Sequence, residues 1–242
     1  MLDINIERTV PPVEEIRRAV CGIVTAIITI FVDMPHTSKD IPVERHPLEP
    51  FLPEGARILM LGSFPPKQEK WSMEFFYPNF INDMWRIMGL IFFNDKEHFV
   101  AEDENGKKLR KFDRERCAEF AAAKGIAMFD TACEVRRLKD NASDKFLEVV
   151  TPTDLPALLS KIPSCRAIVT TGQKATDVIV EKFGCEVPKT GGCTEFEMEG
   201  RTMRLWRMPS SSRAYPLSLE KKAECYRDLF EDEFGRIKEA TL

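Results

Sequence analysis

Four short apolar runs, each ending on a turn residue, limit the folds open to this chain. Residues 57–61 run into Gly62, 126–129 into Asp130, 167–171 into Gly172 and 203–208 into Pro209. A short continuous apolar run bounded by turn signals reads as a strand covered on both faces. Helical patterns over 83–91, 114–124, 154–161, 173–183 and 219–234 fall between or after these runs. The alternation predicts an α/β fold, a three-layer sandwich whose largely parallel central sheet is flanked by helices. Ligands bind such sheets outside the carboxyl ends of the strands. Two segments leave strands there, Gly62-Ser63-Phe64-Pro65-Pro66 and Met208-Pro209-Ser210-Ser211-Ser212-Arg213, and are expected to meet over one pocket.

Composition narrows the setting. With 242 residues and 43% hydrophobic content the chain can bury a large core. Its net charge of −4 excludes a generally basic nucleic-acid coat and leaves room for a local patch. Seven cysteines, an odd number, are widely spaced without a Cys-x-x-Cys pair, and nothing before them has the form of a secretory leader. A reduced, cytoplasmic setting is expected. The histidines are His36, His46 and His98, so neither a metal nor a cofactor is expected. The most apolar stretch, 19–32, is shorter than the roughly 20 residues of a spanning helix, which argues against a membrane anchor. Residues 1–44 read as a compositionally separate N-terminal arm of unknown role, and 45–242 as a single domain. Four prolines within 42–53 suit an extended lead-in. Residues 94–116, dense in both charge signs, read as a solvated loop running into a helix.

Five ordered blocks carry a resemblance. They are Gly62-Ser63-Phe64-Pro65-Pro66, Phe76-Tyr77-Pro78-Asn79-Phe80-Ile81-Asn82-Asp83-Met84-Trp85, Gly125-Ile126-Ala127-Met128-Phe129-Asp130, Thr171-Gly172-Gln173-Lys174-Ala175 and Met208-Pro209-Ser210-Ser211-Ser212. In type and order they resemble the uracil-DNA glycosylase superfamily over about residues 45–233. The first four are most similar to the hypoxanthine-DNA glycosylases and the serine-rich block to the mismatch-specific thymine/uracil-DNA glycosylases. One departure matters. The mismatch-specific branch carries a catalytic Asn where this chain has Phe64, which cannot hydrogen-bond a water or a sugar. The hypoxanthine branch depends instead on an Asn in an Asn-x-Phe-Trp element, which corresponds to Asn82 of Asn82-Asp83-Met84-Trp85.

The resemblance implies a monofunctional DNA glycosylase that flips a deaminated base out of DNA and leaves an abasic site, with DNA as partner and a monomer as working unit. Breaking an N-glycosidic bond develops positive charge on the sugar and negative charge on the base, so fixed dipoles on both sides suffice. Asn82 is the first catalytic candidate, and Asp83 and Asp130 are the carboxylates available as general base. From position alone, Asn82 also suits the cap of the helix that follows it. Gly62, Ser63, Phe64, Pro65 and Tyr77 are expected to form the base-binding pocket, with Phe64 and Tyr77 stacking on the base. Gly172, Gln173 and Lys174 at a helix start, and Ser210, Ser211, Ser212 and Arg213, are expected to contact DNA. Arg201, Arg204, Arg207 and Arg213 make the neighbourhood of that loop the most basic in the chain. No lysine corresponds to a nucleophile, so no Schiff base is expected. The alternative is a catalytically silent binder of damaged DNA or nucleobases, as Phe64 would allow.

Overall fold

The computed structural model describes residues 41–139 and 146–237. The expected arm therefore lies outside the described residues except at its end, as does the apolar stretch 19–32. The described strands are β1 (Val43–Arg45), β2 (Ile58–Gly62), β3 (Val100–Glu102), β4 (Lys108–Phe112), β5 (Ile126–Asp130), β6 (Ala132–Arg137), β7 (Leu147–Pro152), β8 (Ala167–Thr171), β9 (Gly192–Met198) and β10 (Arg201–Met208). The helices are α1 (Met84–Phe93), α2 (Arg114–Ala123), α3 (Leu155–Ser160), α4 (Gln173–Phe183) and α5 (Leu219–Phe234). Side-chain caps fix three helix starts: Asp113 accepts from the Arg116 amide, Asp154 from Ala157 and Ser218 from Lys221.

A five-stranded mixed sheet, ordered β5-β2-β8-β10-β9, forms the centre. β2 pairs in parallel with β5 and β8, β8 pairs in parallel with β10, and β9 closes one edge antiparallel to β10. Every residue of β2 and β5 is buried, as their unbroken apolar sequence requires. Register aligns the strand ends: Gly62 lies opposite Asp130, and Thr171 opposite Met208. The chain leaves β2 towards β5 and leaves β8 towards β10, so the connections diverge between β2 and β8 and open a crevice there. Among the described residues no helix is long and apolar enough to cross a membrane.

Two antiparallel additions depart from the expected pattern. The proline-rich lead-in is not merely extended: β1 pairs with β6, β6 with β7, and Phe51 bridges Met128. The charged segment 94–116 is not a solvated loop either. It contains the β3–β4 hairpin, whose Phe99 and Phe112 are buried while its charges point outward.

Candidate active site

The loops beyond the strand ends enclose a cleft of about 580 Å³, a volume suited to a small ligand. Its floor is Gly62 and Asp130. A Cβ at Gly62 would stand 2.4 Å from Asp130 Oδ1, so only glycine admits the carboxylate at this position. The other oxygen, Oδ2, lies 2.8 Å from His46 Nε2. Oδ1 accepts no hydrogen bond from any described residue, and Asp130 lines the cleft. Phe64 also lines the wall, but it is 9% exposed and packs with Ala132, Val135 and Leu147. Only part of its surface remains for stacking. Trp71 donates to the Pro66 carbonyl at 2.7 Å and braces the same turn.

Tyr77 also lines the cleft, in a left-handed backbone conformation, φ 54°. Its hydroxyl lies 3.4 Å from Thr171 Oγ1, and burial pushes the phenol well above its usual range, so it remains protonated. From Tyr77 the chain reaches Asn82, just before the N-cap residue Asp83, and Asn82 Oδ1 accepts the Met84 amide, the first of α1, at 2.9 Å. Arg86 holds this approach by donating to the carbonyls of Phe80 at 2.8 Å and Asn82 at 3.3 Å. Asn82 also forms an antiparallel bridge with Ser212, which joins the second motif block to the serine loop.

Asp83 occupies a different environment from that of a base. It does not line the cleft, is 5% exposed, and receives Lys222 on Oδ2 at 2.9 Å and Arg213 on Oδ1 at 3.2 Å. Both oxygens are committed to cations, so Asp83 organises the site and Asp130 is the carboxylate that faces it. Lys222, fully buried on α5, also donates to the Ser212 carbonyl at 2.9 Å, and Tyr226 donates to Pro209 at 2.9 Å. Within the loop, Ser210 Oγ accepts the Ser212 amide and Ser212 Oγ accepts the Ala214 amide. These contacts brace a loop whose composition alone would suit a flexible linker.

The remaining expected contacts are distributed less simply. Ser63 and Pro65 line the cleft with Gly62, as do Ser210, Ser211, Ser212 and Arg213. Gly172, Gln173 and Lys174 do not line it. Gln173 bonds Arg207 and Asp177, and Lys174 donates to the Leu147 carbonyl. The basic neighbourhood is compensated only in part: Arg204 pairs with Asp232 and Glu233, whereas Arg201 and Arg207 donate to the neutral carbonyls of Pro163 and Pro188. Arg213 keeps a side chain 52% exposed at the mouth. Sequence reasoning missed His46, Leu48, Thr171 and Lys222. The resemblance had placed Thr171 at the edge of a block, whereas nothing local distinguished the other three.

Fold and cleft together define a mixed α/β protein with an aromatic and polar pocket at the carboxyl edge of its sheet. No protein family and no curated protein sequence matches the chain. Among solved structures, the solution NMR structure of a protein from Methanosarcina acetivorans described as a “putative Uracil DNA glycosylase” aligns with a TM-score of 0.51 at 21% identity. The alignment covers 78% of this chain and 99% of that one, and shows that the two share a fold.

Proposed function

We propose that this protein is a monofunctional DNA glycosylase that flips a deaminated base, uracil or hypoxanthine, out of DNA and hydrolyses its N-glycosidic bond. The observation that carries this reading is the bridge between Asn82 and Ser212, which joins a polar amide to a braced, hydroxyl-rich loop at one cleft. The fold shared with the Methanosarcina acetivorans protein supports it. The base enters between Phe64 and Tyr77, and the serine loop with Arg213 takes the backbone. As the bond breaks, Asp130 Oδ1 stabilises the cationic sugar and receives a proton from the attacking water, while Asn82 Nδ2 orients that water. Among the described residues no lysine lines the cleft, so water is the nucleophile and an abasic site the product.

Single-turnover cleavage of labelled duplexes carrying U·G, U·A, hypoxanthine·T or T·G, developed with alkali, tests the reading. Cleavage of a uracil or hypoxanthine duplex, slowed on the order of 100-fold by Asn82→Ala and by Asp130→Asn, is expected. Tight binding to abasic DNA without cleavage of any duplex would favour a silent binder, the reading to which the apolar Phe64 points.

A further inference from the structure

We propose that His46 is a positioning residue that holds Asp130 in its working orientation, an inference that rests on the glycosylase reading given above. His46 comes from the proline-rich lead-in, far from every motif block. Its side chain is 3% exposed and Nε2 is 2.8 Å from Asp130 Oδ2, 84 residues away in sequence. Three rings surround the imidazole: Phe129 at 4.6 Å, Phe64 edge-on at 5.4 Å and Phe76 at 6.3 Å. Its backbone amide donates to the Cys133 carbonyl at 2.8 Å, so β6 fixes the ring's origin as the phenylalanines fix its plane.

The hydrogen bonds define what this arrangement does. An ionised carboxylate only accepts, so Nε2 must carry a proton and donate it to Asp130. Nδ1 then accepts the Leu48 amide at 3.1 Å when the ring is neutral. When the ring is protonated, Nδ1 donates to the Leu48 carbonyl at 2.8 Å. The ring is thus satisfied in either state, and the Nε2–H bond to Asp130 persists in both. That bond anchors Oδ2 and leaves Oδ1 over Gly62, facing the cleft. Without it the carboxylate could rotate about its last bond, and a displacement of about 1 Å at a reacting group costs on the order of 100-fold in rate.

A double-mutant cycle on the full chain separates positioning from mere packing. His46→Ala is expected to slow single-turnover cleavage of the U·G or hypoxanthine·T duplex by about 10- to 100-fold. Binding to a duplex with an abasic-site analogue should stay within about twofold. His46→Gln, whose amide N–H can reach Oδ2, should recover part of the rate. His46→Ala combined with Asp130→Asn should be no slower than Asp130→Asn alone. Full activity in His46→Ala, or losses that multiply in the double variant, would overturn the proposal. The pairing is also readable without activity, by nitrogen-15 NMR of the imidazoles in a chain with three histidines. One ring should show the Nε2–H tautomer and shift on Asp130→Asn. If the wild type cleaves nothing but this shift is seen, the glycosylase reading fails and the pairing stands. If no ring responds, His46 does not hold Asp130, whatever the enzyme does and however well the His46→Ala variant folds.

Discussion

In the proposed reaction Asn82 combines two tasks on one side-chain amide. Its oxygen accepts the Met84 amide, and its Nδ2 makes no hydrogen bond to a described residue. The two tasks can be separated by substitution. Asn82→Ala removes this acceptor of the first α1 amide, which costs about 1 kcal/mol, whereas Asn82→Asp keeps an acceptor at the start of α1 and should leave stability nearly unchanged. Both variants remove the N–H donor, and each should lose on the order of 100-fold in single-turnover cleavage. Urea denaturation read beside the cleavage rate checks this, and an Asn82→Asp variant with wild-type rate would show that the donor plays no part. The helix-start acceptor and the motif block were both visible at Asn82 because each is local. Asp83 and Asp130 could not be told apart in the same way. Each is a carboxylate within a motif block, and only the arrival of Lys222 and Arg213 at one, and of His46 at the other, separates them.

Strands written as apolar runs were legible, and so were the amphipathic helices, whereas strands with a charged, exposed face were not. β2, β5, β8 and β10 coincide with apolar runs, and the five helices show a regular apolar spacing. β4 reads Lys-Leu-Arg-Lys-Phe and resembles a solvated loop until its hairpin partner is known. The local signal was the Asn105-Gly106 pair, with Gly106 at φ 75° and Asp103 accepting the amides of Asn105 and Lys107. Likewise β9 alternates its buried residues and turns into β10 through Glu199-Gly200, both at positive φ, as a two-residue hairpin demands. The serine loop depends on a third element, since α5 supplies Lys222 to both Asp83 and the Ser212 carbonyl. Lys222→Met would leave a buried carboxylate with Arg213 as its remaining cation, so a loss of about 3 kcal/mol is expected. Asp83→Asn added to Lys222→Met should restore part of that loss, because the uncompensated charge is gone. Chemical denaturation of the four proteins of this cycle checks the coupling, and faster trypsin cleavage at Arg213 in the single Lys222 variant would report the released loop.

At the scale of the whole molecule, the proposed function asks an acidic chain of net charge −4 and pI near 5.6 to act on a polyanion. The distribution of its arginines shows how. Arg204 is matched by two carboxylates, Arg201 and Arg207 donate to carbonyls that orient them without cancelling their charge, and none of the three lines the cleft. Arg213 is half exposed there, beside serine hydroxyls and loop amides that bind phosphate without carrying charge. Neutral donors release no counterions, whereas each phosphate neutralised by a cation steepens the salt dependence of binding by about 0.9 in the log–log slope. If two or three cations take part, the slope for an abasic-analogue duplex should lie near −2 to −3, a loss of about 20- to 60-fold between 50 and 200 mM salt. Fluorescence anisotropy across that range measures it. Arg213→Gln should reduce the slope by about 1 and weaken binding similarly on every sequence, because phosphate contacts carry no base information. A slope of about −6 or steeper would mean that a basic surface away from the cleft takes the DNA, and affinity would then no longer report on the site where the base is cut.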